Sequence, residues 1–250
     1  MHTTAHARPL DDQQRLERAQ LQRLIVQRTC ELGRRVAAAD TSSAERLDAL
    51  LASLTSQNPE ALTHARRVAG IASAISLVLG LPDTELVVVA RGALLHDVGK
   101  LAIPPTLMCK PTALTEAEIR LLRSHPEAGF AIVSAAPALT LAADIVLSSH
   151  EAWDGSGYPG GLARTAIPLG SRITAVADTY DALTWSRTAA GPVAQVSAVA
   201  ELIRCAGTLF DPDIVRAWLR VLEEGRPARG AALDPGAVPA RADFARFLES

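Results

Sequence analysis

Apolar positions along the chain recur at the three- and four-residue spacing of amphipathic helices. In residues 11–38 the apolar side chains fall roughly on one face, and Arg and Gln fill most other positions. Similar patterns predict further helices after the break at 40–43 to about 54, and at 59–79, 83–96, 115–125, 126–136, 138–150, 171–184, 193–206 and 211–224. No alternating strand pattern of useful length occurs, so the sequence predicts an all-α fold.

The helix ends carry local signals. Thr115, followed by Glu118 three residues later, is typical of a capping box. The segment 225–241 is rich in Gly, Pro and Ala and predicts a flexible tail. The first helix is expected to pack against the body. A short coiled-coil contact between two copies, giving a homodimer through the N-terminal helices, is the alternative.

Composition narrows the class of protein. Of the 250 residues, 48% are hydrophobic and 4% aromatic, so Ala, Leu and Val do most of the packing. The 25 Lys and Arg nearly balance the 27 Asp and Glu, which gives no support for a DNA-binding protein. Three widely spaced cysteines indicate a reducing compartment. Without a signal peptide pattern or an apolar run long enough to span a membrane, the expected location is cytoplasmic.

Four histidines lie at or near helix ends: His64, His96, His125 and His150. A single histidine on an apolar face is more often a core residue than a ligand. The adjacent pair His96-Asp97 changes this, because an imidazole and a carboxylate at a helix terminus can reach one cation and the carboxylate can bridge to a second. Asp178 follows an apolar stretch and needs a partner if it is buried. A shared metal ion would provide one.

Mixed imidazole and carboxylate ligands favour Fe, Mn, Ni, Co or Zn over Mg or Ca. Such a site lowers the pKa of bound water and suits hydrolysis of a phosphate ester. Lys100 lies four residues after His96 and can stabilise charge on a phosphate or protonate a leaving group. A surface lysine favoured by a helix C-terminus is the alternative interpretation.

Five motifs occur in a fixed order: His64, HDVGK at 96–100, His125-Pro126, HEAWDGSGYPGGL at 150–162 and AVADTYDALT at 175–184. Together they resemble the HD-GYP domain, a subgroup of the HD metal-dependent phosphohydrolases, over roughly residues 45–222. The resemblance implies an HD helical core with extra helices. It divides the chain into a tail and helix at 1–40, the HD-GYP domain at 41–224 and a flexible tail at 225–250.

The resemblance also implies an activity. It predicts hydrolysis of the bacterial second messenger cyclic di-GMP to the linear dinucleotide and often to GMP. One or two divalent transition metals per chain, iron or manganese, would serve as cofactor. A diguanylate cyclase or another signalling protein is an expected partner.

By position, the resemblance assigns roles to individual residues. The primary metal site would comprise His64, His96, Asp97 and Asp178. Asp97 would bridge to a second metal held by His125 and His150, and Lys100 would be the catalytic lysine acting with Asp97. The remaining assignments are the signature loop near the substrate and the phosphate-binding arginine: Gly157, Tyr158, Pro159 and Arg187.

Three departures from the family pattern bear on activity. Ser149 stands where the family usually has a histidine, and a hydroxyl is the poorer ligand. Arg187 is followed by Thr188-Ala189-Ala190, so a tyrosine and a second cation that grip phosphates are missing. Glu60, one turn before His64, is an additional candidate ligand, although a first-turn glutamate favoured by the helix dipole is the preferred interpretation. The alternatives are therefore a weakened or inactive nucleotide-binding or protein-interaction module, or a phosphohydrolase for another nucleotide.

Overall fold

A computed structural model describes residues 12–38, 49–53, 59–185 and 192–223. Residues 49–53 are helical, and the other α-helices are α1 Asp12–Ala38, α2 Pro59–Val78, α3 Asp83–Leu95, α4 Pro105–Met108, α5 Glu116–Leu122, α6 His125–Ser134, α7 Thr140–Leu147, α8 Leu169–Thr184, α9 Pro192–Arg204 and α10 Pro212–Glu223. Short 3-10 helices lie at Val98–Ala102, Pro137–Leu139 and Arg164–Ala166. These ranges contain no β-strand, which confirms the all-α prediction.

The predicted helices are present with shifted ends. The capping box at Thr115 and Glu118 forms as predicted. The helix expected over 138–150 ends at Leu147, so His150 lies in a loop. The predicted break at 40–43, the C-terminal tail and Arg187 lie outside the described residues. No helix in the described ranges combines the length and apolar character that a membrane span requires.

The main core lies between α2, α3, α7, α8 and α10. Most of its members are small or branched apolar side chains, as the composition predicts, and some are aromatic. They include Val68, Ala72, Ile75, Ala93, Leu95, Ile173, Val176, Tyr180 and Trp218. The Trp218 ring packs edge-on against Tyr180 with 4.7 Å between centroids. This core holds α2, α3 and α8 together, and these three helices carry or precede the residues expected to bind the first metal.

A second, smaller core joins α1 to the body. Ile25 of α1 is buried with Leu107, Leu121 and Ala128. Helix α1 therefore packs against α6 and the 3-10 helix at Val98–Ala102, as its simplest interpretation predicted. A dimer through this helix stays a prediction.

The 3-10 helix at Val98–Ala102, which the pattern did not predict, lies directly against α6. A Cβ atom built on Gly99 would lie 1.8 Å from the carbonyl oxygen of His125 and 2.5 Å from the backbone nitrogen of Gly129. Only a glycine allows two backbones to approach this closely. The contact brings the segment that contains Asp97 and Lys100 next to the start of α6.

Candidate metal centre

His96 and Asp97 lie at the junction of α3 and the 3-10 helix. The last turn of α3 buries Leu95, and His96 that follows is 1% exposed. The Nδ1 of His96 is 2.7 Å from the carbonyl oxygen of Ala93. A carbonyl can only accept, so Nδ1 carries the proton and Nε2 presents a lone pair. The end of the helix thus places an imidazole lone pair beside the carboxylate of Asp97.

A first cluster joins side chains from α2, the end of α3 and α8. His64 Nε2 lies 3.2 Å from Asp178 Oδ1, and His96 Nε2 lies 3.7 Å from the same oxygen. His96 Nε2 is also 3.6 Å from Asp97 Oδ2. These four residues, which the sequence assigned to the primary metal site, converge in space, and His64, His96 and Asp97 form a group able to hold a metal ion.

A second cluster forms on the other oxygen of the same carboxylate. Asp97 Oδ1 lies 3.5 Å from His125 Nε2 and 3.9 Å from His150 Nε2. The two Nε2 atoms are only 2.9 Å apart. Since the Nδ1–H of His125 donates to the carbonyl of Leu122 at 2.9 Å, its Nε2 presents a lone pair here. Asp97 therefore faces a potential metal position with each oxygen, as a bridging ligand does.

Two buried polar atoms without a hydrogen-bond partner indicate whether these residues suit a metal ion. His96 Nε2 and Asp97 Oδ1 are buried and have no hydrogen-bond partner among the described residues. Such orphaned groups are costly, and a cation in the first cluster would satisfy His96 Nε2 while a cation in the second would satisfy Asp97 Oδ1. The donors are imidazole nitrogens and carboxylate oxygens without a thiolate, which is the set that divalent transition metals accept. The residues present fit a divalent metal.

The electrostatics keep the carboxylates ionised. Burial opposes the charge on Asp97, but His96 and Lys100 hold its pKa well below the usual value. Burial opposes the charge on Asp178 as well, and the hydrogen bond from His64 lowers its pKa. For His64, burial favours the neutral ring, yet hydrogen bonds to Asp178 and Asp181 raise its pKa to about 9. Asp97 and Asp178 are therefore ionised and can serve as anionic ligands.

Asp181 is a functional residue that the sequence reasoning missed. Its side chain is 1% exposed, and its Oδ2 accepts from His64 Nδ1 at 2.7 Å. Arg67 donates to both carboxylate oxygens at 2.6 and 2.8 Å. This arrangement fixes the His64 ring with Nε2 turned toward the cluster. The signal was available, because Asp181 lies three residues after Asp178 and Arg67 three after His64, the helical spacing of one face.

The signature loop contacts the second cluster. Tyr158 donates its backbone N–H to the carbonyl of His150 at 3.1 Å, and its ring stacks on the His150 ring at 5.2 Å and 7°. Buried Glu151 accepts from the backbone nitrogens of Gly160 at 2.6 Å and Leu162 at 3.0 Å. Glu151 was not singled out from the sequence, because its burial is not visible there. Its carboxylate holds the loop so that Tyr158 lies over the histidine.

Close approach explains one glycine of the signature loop. A Cβ atom on Gly157 would lie 2.2 Å from the backbone nitrogen of Ala152. Any side chain would therefore push the loop away from the segment that follows His150. Pro159 follows Tyr158 in this loop.

The remaining candidate site residues differ in whether they contact the two clusters. Lys100 Nζ lies 2.5 Å from Asp97 Oδ2, so the predicted catalytic lysine contacts the shared carboxylate. Ser149 is buried, and its hydroxyl donates to the carbonyl of Val146 at 3.0 Å. Glu60 is exposed and belongs to neither metal-binding group found among the described residues. Arg187 lies outside the described residues.

Sequence comparison identifies the family of the chain. The sequence model of the HD domain matches residues 49–214. The chain therefore belongs to the HD-domain family, and the HD-GYP resemblance drawn from its motifs is confirmed.

Two curated relatives carry names of cyclic di-GMP phosphodiesterases. One, from Thermotoga maritima, is 37% identical over 64% of this chain and 44% of its own length. The other, the response regulator RpfG of Xanthomonas campestris pv. campestris, is 41% identical over 62% of this chain and 41% of its own length. The chain thus spans less than half of either relative.

A solved structure shares the fold. The cyclic GMP-AMP-specific phosphodiesterase V-cGAP3 of V. cholerae superposes with a TM-score of 0.55 at 20% identity, covering 82% of this chain and 53% of that one. At this identity the likeness concerns the fold alone, and it agrees with the all-α HD architecture.

Proposed function

We propose that this chain is a metal-dependent phosphodiesterase that hydrolyses cyclic di-GMP to the linear dinucleotide pGpG and onward to GMP. The observation that carries the proposal is the position of Asp97. Its two carboxylate oxygens face two histidine clusters, and Lys100 Nζ lies 2.5 Å from its Oδ2. One or two iron or manganese ions per chain are the proposed cofactor. The relatives at 37% and 41% identity support this substrate class.

The residues of the centre would bind the two metal ions and assist proton transfer. His64, His96, Asp97 and Asp178 would hold one ion, and Asp97, His125 and His150 the other. When bound, such ions lower the pKa of water and neutralise phosphate charge. Formation of pGpG breaks a bond between phosphorus and a 3′ oxygen, and that oxygen must gain a proton. The ammonium of Lys100 lies beside Asp97, where it can stabilise or protonate the departing oxygen.

Further features of the expected protein stay predictions. These are the domain limits at 41–224, a cytoplasmic location, a diguanylate cyclase or other signalling partner, and a homodimer through the N-terminal helices. The weakened nucleotide-binding module remains the competing hypothesis, because Ser149 and Ala189-Ala190 replace groups that the family uses.

The decisive experiment measures metal and turnover on one sample. Protein purified without oxygen is analysed for Fe and Mn per chain, and cyclic di-GMP hydrolysis is followed with cyclic GMP-AMP as the comparison substrate. We expect bound transition metal and preferential conversion of cyclic di-GMP to pGpG. Absence of both bound metal and turnover, even after Fe or Mn is added, would refute the enzyme and leave the binding module.

Lys100→Gln separates chemistry from metal binding. Lys100 is not a proposed ligand, so the variant should keep its metal while kcat falls by about a hundredfold, the lower end of a general acid's contribution. The matched control is Lys110→Gln. Lys110 Nζ pairs with Glu118 at 2.7 Å and belongs to neither cluster. Equal kcat values for the two variants would show that Lys100 is a surface lysine.

A further inference from the structure

Arg123 lies at the rim of the second cluster. It ends α5, and its backbone N–H donates to the carbonyl of Ile119 at 2.8 Å. The sequence places it two residues before His125. Its guanidinium lies 5.1 Å from the centre of the Tyr158 ring, and that ring stacks on His150. An exposed cation is therefore held next to two of the histidines that face Asp97.

Charge pairing distinguishes Arg123 from the other cations in contact with the centre. Lys100 pairs with Asp97, and Arg67 pairs with Asp181 through both oxygens. In the part of the chain that the structure describes, no carboxylate lies within ion-pair distance of Arg123. Its positive charge is thus available to a ligand.

The N–H groups of Arg123 are available as donors. The contact with the Tyr158 ring is a cation–π contact at 5.1 Å, and no side-chain hydrogen bond from Arg123 occurs among the described residues. Those N–H groups match the paired oxygens of a phosphate. Tyr158 also restrains the side chain, which reduces the entropy lost when an anion binds.

We infer that Arg123 binds a phosphate of the dinucleotide substrate and determines substrate affinity at the second cluster. The inference rests on the proposed phosphodiesterase function, which it deepens. It supplies a cation beside the second cluster, whereas the segment after Arg187 reads Thr188, Ala189 and Ala190 and offers no second cation.

The test compares Arg123→Gln with Arg120→Gln in metal-loaded protein. Arg120 lies one turn earlier on α5, is 56% exposed and pairs with Glu116 at 3.8 Å. For Arg123→Gln we expect KM for cyclic di-GMP to rise about tenfold, as the loss of one charged hydrogen bond predicts, with kcat changed less than about twofold. Arg123→Lys should recover part of the loss, and Arg120→Gln should match the unsubstituted protein.

Product-like probes separate a phosphate contact from a structural role. GMP and guanosine are compared as inhibitors, or as ligands in equilibrium binding if turnover is absent. Arg123→Gln should weaken the binding of GMP but leave the binding of guanosine unchanged. An effect through the Tyr158 loop alone would weaken the binding of both compounds or of neither. Either of those results would overturn the inference.

Equilibrium binding of cyclic di-GMP keeps the two proposals distinct. If the unsubstituted protein binds the dinucleotide without hydrolysing it and Arg123→Gln weakens that binding, the phosphodiesterase fails and the phosphate contact stands. If turnover is present and KM and affinity are unchanged in Arg123→Gln, the phosphate contact fails and the phosphodiesterase stands. A protein that binds no dinucleotide overturns both.

Discussion

The two histidine clusters share the carboxylate of Asp97 but differ in the groups that hold their histidine rings in place. In the first, His64 donates through Nδ1 to the buried carboxylate of Asp181, which Arg67 holds in turn. In the second, His125 donates to the backbone carbonyl of Leu122, and His150 is positioned by stacking on Tyr158. His96 of the first cluster donates to the carbonyl of Ala93 much as His125 does to that of Leu122, so the clusters differ in their other histidine: a charged carboxylate supports His64 and a ring supports His150.

The difference indicates unequal metal affinity. A carboxylate behind a ligating histidine fixes its tautomer and increases its basicity more than a carbonyl does. The second cluster also has Ser149 beside His150, with its hydroxyl turned toward Val146 rather than offered as a ligand. We therefore expect the first cluster to retain its ion when metal is scarce and the second to lose it first.

Asp97→Asn should produce the largest effect, because it changes the ligand common to both clusters. The amide removes the negative charge that both positions use, so metal content should fall in both and kcat should drop by at least about a hundredfold. Metal analysis and turnover on the same preparation check this. Retention of full metal content would mean that Asp97 is not a bridging ligand.

His64→Ala and His150→Ala separate the clusters. Each removes one imidazole from one cluster, so each should lower metal content by about half when metal is abundant. At limiting metal, His150→Ala should keep most of its ion while His64→Ala should lose it. Metal analysis after dialysis against a weak chelator measures the contrast, and the reverse order would contradict the unequal affinities.

Asp181→Asn should weaken the first cluster without touching a ligand. Loss of the charge behind His64 is expected to reduce metal affinity there by about 10- to 100-fold, the usual range for such outer partners. Chelator competition measures the affinity directly. The control is Asp213→Asn, a 70% exposed carboxylate that pairs with Arg216. If both variants bind metal alike, Asp181 serves packing alone.

Thr115→Ala should give the smallest effect and none on metal. It removes the N-cap of α5, at a cost of about 1 kcal/mol in the free energy of unfolding. Thermal melts and metal analysis of one sample test this. If metal content fell as well, the losses in the ligand variants would reflect general destabilisation rather than lost coordination.

Local signals predicted much of the fold and located several residues of the candidate site. Helical periodicity located the helices, and the His96-Asp97 pair pointed to the metal position before any coordinates. Asp181 was missed because its partner His64 lies 117 residues away along the chain, and Glu151 because its burial under the backbone of Gly160 is not visible in the sequence. Burial, which makes those carboxylates informative, depends on the packing of whole helices.

Gly99 has a consequence for how the two metal positions are related. The segment with Asp97 meets α6 through main-chain atoms at this residue, with no side chain between them. The distance between the backbone segments that carry Asp97 and His125 is therefore set by main-chain contact. Side-chain substitutions elsewhere can tune the affinity of either position without changing this close approach.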